Sequence, residues 1–447
     1  MSKPLPHAII FAYAAPGFAL AMPTLPVFVL LPAFYANDVG LGLAVTGVVL
    51  LLARLTDVIT DPLIGLFSDR WPTPWGRRKP WIVVGGIIAA VALTALVLPP
   101  SDASAWYLAG TAVALYLGWT MVSVPYSAWG AELSYDYNER TRITSGREGL
   151  MLVGIVFAGS VPLITEVMFG AASPSPLVVL CFLTIIFGII GVVLLVWLVE
   201  EPPRSTSLVK PGRAAVAALF ADPVFVRLVA AWFINGLAVG LPAALFPLFL
   251  EHVLGVSDLQ GGILIFIYFA TGVMSLPLWI WLSGRYGKDR IWILAMVVAC
   301  AAFLTVPVVG AGDWLIFAVI CLITGAVLGA DLALPPAMQA DVVDYHTWRT
   351  GEHRAGLAFA VWSMATKAAL ALSVGAGFLI LDISPFESAL SFGAGEQVLW
   401  PLIALYALIP VAFKCLAIWV MRAYPLSPRR TWAIQSRLMR RSLPATP

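Results

Sequence analysis

Twelve apolar runs, each long enough to cross a bilayer, dominate this 447-residue chain. Their approximate limits are 9–35, 42–67, 80–100, 105–130, 148–169, 177–199, 226–250, 260–283, 290–311, 313–337, 355–381 and 397–421. About twenty apolar residues are needed to span the hydrocarbon core as a helix. Continuous rather than alternating apolarity selects helices over a barrel. With 61% hydrophobic and only 11% charged residues, a soluble globular fold is excluded. The expected class is an all-α membrane protein of twelve transmembrane helices.

Lys and Arg occur in alternate loops. One set holds Arg70 and Arg77 to Lys79, Arg140 and Arg142, Arg204 to Arg213, Arg285 to Arg290, Arg349 and Arg354, and the tail from Arg422. The intervening loops, 36–41, 100–105, 170–176, 251–259, 310–313 and 382–396, carry no Lys or Arg. The positive-inside rule puts the first set, and both termini, in the cytoplasm of an inner (plasma) membrane protein. The basic tail, 422–447, is either solvated or in contact with anionic headgroups. The polar stretch 200–225 divides the spans six and six, giving halves 1–199 and 226–421 joined by a cytoplasmic linker. Gly65, Asp69 and Arg70 at the close of span two are echoed by Gly284, Arg285 and Lys288 at the close of span eight. Two pseudo-symmetric halves are a transporter pattern. No phosphate-binding glycine loop, nucleophile–base pair or metal-ligand spacing is present, so an ATP-driven pump, an enzyme and a resident cofactor are not expected. Four cysteines lie singly inside apolar runs and read as packing residues.

Span two breaks the apolar pattern with Arg54, Asp57 and Asp61, spaced to share one helix face. Each charge at mid-bilayer costs about 2.5–3.5 kcal/mol on insertion scales, so the stripe must face a polar or wet interior. Two carboxylates one turn apart can bind a small cation or share a proton. The rival reading is an ion-pair network that only locks helices together. Thr60 adds a hydroxyl, and Pro62 is expected to bend the helix there. Span four supplies Thr120, Ser123, Tyr126, Ser127 and Trp129, with Tyr116 and Trp119 before them. Arg147 near the start of span five, Asp331 in span ten and Lys367 in span eleven are further intramembrane charges. Asp331 either pairs with Lys367 or faces a cavity. Trp362, like Tyr116 and Trp119, could stack on a sugar ring or simply pack.

These residues carry a resemblance. Asp57-x3-Asp61-Pro62-x2-Gly65-x3-Asp69-Arg70 with Gly76-Arg77-Arg78-Lys79-Pro80-Trp81 is similar to the signature of the glycoside–pentoside–hexuronide:cation symporters. That is a branch of the major facilitator superfamily typified by the melibiose permease. The likeness continues through Val124-Pro125-Tyr126-Ser127, Glu132, Glu139-Arg140-Thr141-Arg142 and Arg147, then Asp341, Asp344, Gly351 and Lys367 in the second half. It implies the major facilitator fold and alternating access. It implies a cation site at Asp57, Asp61 and Thr120, with Thr60 beside it and Na+ or H+ as the coupling ion. It implies solute contacts at Arg147 and Lys367; Ser123, Tyr116, Trp119, Tyr126, Asp331 and Trp362 are further candidates read from the residues themselves. It implies inner-gate charges at Arg140, Asp341 and Asp344; Asp69, Arg70, Arg77 and Arg78 are expected to latch the same side through charge pairs, and Arg54 to act as counter-charge to Asp57 and Asp61. The Lys-Asp pair and the further Asp that contact sugar in the melibiose permease align with Leu20, Ala21 and Ser123.

The expected function is cation-coupled symport of a sugar, glycoside or uronide-like solute. Transport of a lysolipid-like or other amphiphilic or anionic solute on the same fold is the alternative, and a non-transporting receptor or scaffold is the rival from another class. Expected partners are the solute and the bilayer, with no nucleic acid, and the chain is expected to work as a monomer.

Overall fold

The computed structural model describes residues 5–23, 31, 34–70, 73–134, 136–169, 175–201, 213–352, 354–382, 384 and 399–442. The middle of the span-one run (24–30), most of the linker (202–212) and most of the last acidic loop (385–398) lie outside the described residues. Among the described residues the chain is helical, and nine helices are long and apolar enough to cross a membrane. Its elements are α1 (His7–Ala21), α2 (Leu43–Leu55), α3 (Asp57–Arg70), α4 (Lys79–Val97), α5 (Ala105–Glu132), α6 (Tyr137–Phe169), α7 (Pro176–Leu198), α8 (Arg213–Phe220) and α9 (Pro223–Phe249). They continue as α10 (Asp258–Tyr286), α11 (Lys288–Phe303), α12 (Trp314–Thr350), α13 (Ala355–Asp382), α14 (Trp400–Met421) and α15 (Pro428–Ser442).

The helices gather into two compact units. One contains Met1–Val216 with Val343–Val361 and Ala433–Pro447; the other contains Ala217–Val342 and Trp362–Trp432. In the first, small residues let helices approach closely, as expected where packing rather than hydrophobic burial joins helices in lipid. A Cβ on Gly85 of α4 would lie 2.8 Å from the Gly118 carbonyl oxygen of α5, and one on Gly191 of α7 would lie 2.9 Å from the Pro16 backbone of α1. In the second unit an aromatic cluster of Phe249, Phe317 and Tyr406 packs α9, α12 and α14 together, with Phe249 and Tyr406 stacked at 4.2 Å.

Three expectations need correction. Span two is two helices, interrupted at Thr56, and Pro62 sits inside α3. The break is stabilised locally: the Thr56 hydroxyl donates to the Ala53 carbonyl at 2.6 Å, competing with the helical ladder. Pro62, the sixth residue of α3, has no amide hydrogen to give the Val58 carbonyl, so the ladder is one bond short there although the helix continues. The stretch after span ten is not a loop, since α12 runs on to Thr350 through Asp341 and Asp344. Likewise α6 begins at Tyr137, so Asn138 to Arg142 is helical rather than a loop. Apolar run length marks where a helix leaves the hydrocarbon, not where it ends.

Candidate cation site and charge latch

The restart of the chain at Asp57 places that carboxylate on the first turn of α3, where unpaired amides and the helix dipole favour negative charge. Asp61 follows one turn later. Thr120, on α5, closes the group. Its hydroxyl donates to Asp61 Oδ1 at 2.8 Å and lies 3.4 Å from Asp57 Oδ1. All three residues are buried, Asp61 and Thr120 completely. Thr60 Oγ1 is buried beside them with no hydrogen-bond partner among the described residues. Arg54, on the last turn of α2, lies with its guanidinium 5.9 Å from the Tyr116 ring centre, a cation–π contact within the same neighbourhood. The geometry thus brings together Asp57, Asp61 and Thr120, the last of them sixty-three positions from the first in sequence. Carboxylate and hydroxyl oxygens are the donor set that a small hard cation takes, and a pair of carboxylates can equally hold a proton.

One helical length beyond, α3 ends in a dense charge cluster. Asp69 accepts from Arg78 Nη2 at 3.0 Å and from the backbone amides of Gly356 and Leu357 at 2.9 and 3.1 Å. Those amides open α13, so the carboxylate occupies a helix N-terminus, a natural anion position. Arg78 reaches Glu132 through Nε at 3.0 Å and Nη2 at 2.6 Å, and Arg77 reaches the same carboxylate at 2.7 and 2.8 Å. Glu201 accepts from the amides of Arg77 and Arg78. Burial works against a charge on Arg78, but Glu132 and Asp69 outweigh it and hold the guanidinium above its usual pKa. Arg140 pairs with Asp344 at 2.7 Å, both side chains being 2% exposed. In the second unit Lys288 pairs with Asp341 at 2.7 Å. Arg70, also expected in this network, is half-buried at the end of α3.

The candidate solute residues fall in separate places. Arg147 is buried, ion-paired with Glu148 and 5.9 Å from the Tyr126 ring. Tyr126 and Tyr13 each donate a hydroxyl to the other's carbonyl. Ser123 is half-buried on α5 between Thr120 and Tyr126, whereas Trp119 lines an apolar cavity with Leu20. In the second unit Trp362 stacks on Trp232 at 4.7 Å, and the Trp232 indole donates to Thr366 at 2.7 Å, one residue before the half-buried Lys367. Asp331 is held by the Trp292 indole at 2.7 Å and by Lys414 at 3.4 Å. Lys414 also donates to Asn235 at 2.8 Å. The sequence reading passed over Lys414, although a lone lysine in the run 397–421 is as anomalous as Lys367. It also missed Glu201, whose position in the linker hides its pairing.

The sequence profile of the family described as MFS/sugar transport protein matches residues 10–428. Relatives include the uncharacterized symporter sll1374 of Synechocystis, 26% identical over 93% of each chain. The sodium-dependent lysophosphatidylcholine symporter 1-A of Danio rerio is 24% identical, over 86% of this chain and 79% of the relative. The putative glycoside/cation symporter YagG of Escherichia coli is 28% identical, over 92% and 90%. Among solved structures, the proton:xylose symporter XylE aligns with a TM-score of 0.69 at 13% identity, covering 96% of this chain and 98% of that one. That likeness shows the fold.

Proposed function

The chain belongs to the MFS/sugar transport family, and on that premise we propose that it is a cation-coupled symporter working by alternating access, with Asp57, Asp61 and Thr120 as its ion site. The observation that carries this reading is the convergence of two buried carboxylates and a buried hydroxyl at a helix break inside a membrane-embedded unit. Irregular backbone at membrane depth is tolerated where it lines a site or cavity. In the proposed cycle binding of Na+ or H+ removes one negative charge from the carboxylate pair, and the charge change at the start of α3 is felt at its other end. There Asp69 latches α13 through two amides. Release and re-formation of that latch accompany the exchange of access.

Relatives named for glycoside and glucuronide transport support a sugar, glycoside or uronide as the solute. A second reading, an amphiphilic lysolipid-like solute, is favoured by one feature: Leu20 stands in an apolar wall where a sugar carrier would need polar contacts. The test is a ligand-stabilisation screen of glycosides, uronides and lysophospholipids, each with and without sodium and across pH. A solute whose effect on Tm grows with sodium, or with acidity, supports symport. Stabilisation by a solute with no dependence on either ion contradicts it.

A further inference from the structure

A cavity of about 380 Å³ lies in the first unit, away from the carboxylate pair. Its rim is formed by Ile87 and Val91 of α4 and Ile189 and Val193 of α7, all exposed, on two helices long and apolar enough to span the bilayer. Its inner wall includes Leu20 of α1 and Trp119 of α5. No charged side chain lines it, and Thr184 and the Trp119 indole are the lining side chains with hydrogen-bonding atoms.

The space is built rather than left by loose packing. Gly191 draws α7 tightly onto Pro16 of α1 next to it, yet a Cβ on Gly86 would meet nothing within 4 Å, and one on Gly188 would meet only Ala19 at 3.8 Å. Two glycines therefore hollow out a wall between helices that touch elsewhere. The volume falls within the range of about 300–1,000 Å³ typical of small-molecule sites. Water filling this volume would need two to four polar partners per molecule, and the lining offers two polar side chains in all. A sugar would lose its hydrogen bonds on entry. The exposed rim lies on two apolar helices of bilayer-spanning length, where hydrocarbon is the expected medium.

We propose that this cavity is a binding site for one acyl chain of a bilayer phospholipid, inserted between α4 and α7 until it reaches Leu20 and Trp119. The bound chain props α1 from the lipid side, at the helix where Leu20 and Ala21 stand in place of the sugar-contacting pair of the melibiose permease. This inference goes beyond the transport reading and does not depend on which solute is carried.

The full chain, reconstituted in phosphatidylcholine vesicles doped with phosphatidylcholine bearing a diazirine in one acyl chain, is irradiated and its adducts mapped by mass spectrometry. Adducts are expected on Leu20, Trp119 and Gly86, as well as on exposed Phe182 and Ile190 outside the cavity. In Gly86→Phe, which fills the space, the adducts on Leu20 and Trp119 are lost while those on Phe182 and Ile190 remain. Gly86→Leu serves the same purpose with a smaller side chain if the Phe variant does not fold. Labelling confined to exposed positions, or adducts on Leu20 and Trp119 that persist in both variants, overturns the proposal.

Discussion

Asp69 holds the first turn of α13 by accepting the amide protons of Gly356 and Leu357 at 2.9 and 3.1 Å, while the same carboxylate balances Arg78 at 3.0 Å. One side chain thus caps a helix and anchors a buried guanidinium. Replacing it by Asn leaves a weaker acceptor and strips Arg78 of one counter-charge. Breaking a buried pair from one side costs about 3–5 kcal/mol. Asp69→Asn should therefore lower Tm by several degrees in detergent. An unchanged Tm would show that the latch contributes nothing to the observed state.

The approach of α3 to α13 depends on two glycines. A Cβ on Gly356 would lie 2.5 Å from Asp69 Oδ1 and 2.5 Å from the Gly65 carbonyl oxygen, and one on Gly65 would lie 2.6 Å from the Gly356 carbonyl oxygen. Gly65→Ala and Gly356→Ala should each weaken the contact by about 1–3 kcal/mol. Because they spoil the same contact, the double variant should lose less than the sum of the two. A thermal double-mutant cycle measures this.

Arg78 is held protonated above its usual pKa by Glu132 and Asp69 against the cost of burial. A raised folded-state pKa contributes stability that is complete below the unfolded value, which for Arg already lies far above neutral, and lost only as pH climbs through the folded one. Over pH 6–9 the Arg78 contribution should be flat. Arg78→Lys should lower Tm across that whole window, because a point charge cannot reproduce the fork that spans Glu132 and Asp69. A strongly pH-dependent difference in Tm between Arg78→Lys and the parent would contradict this.

Lys414 and Asp331 form a buried pair braced by Asn235 and Trp292. Lys414→Met alone leaves a buried carboxylate and should destabilise by about 3–5 kcal/mol, whereas Lys414→Met with Asp331→Leu should recover most of that loss. Equal losses in the single and double variants would mean that the charges are not coupled.

Much of the fold could be read from run lengths and loop charges, because hydrocarbon thickness and the cost of moving charges through it are strong constraints. The helix break at Thr56 was not legible: a threonine hydroxyl bonding to Ala53 leaves no signature beside the more conspicuous Pro62. Nor was the reach of α12 past the membrane, since apolarity stops before the helix does. At the site, spacing placed Asp57 and Asp61 on one face, but their approach to Thr120 is tertiary and entered through the resemblance. The partners of Arg78 divide the same way. Asp69 lies nine residues away, within the same motif, while Glu132 and Glu201 come from distant segments.

The central claim is that Asp57 and Asp61 bind the coupling cation. The most direct measurement is sodium titration of the purified protein, followed by Tm at fixed pH and by proton release in weak buffer, in the parent, Asp57→Asn and Asp61→Asn. The account predicts saturable stabilisation by sodium, or saturable protonation in its place, in the parent and its loss in both folded variants. Undiminished ion binding in both variants would contradict it.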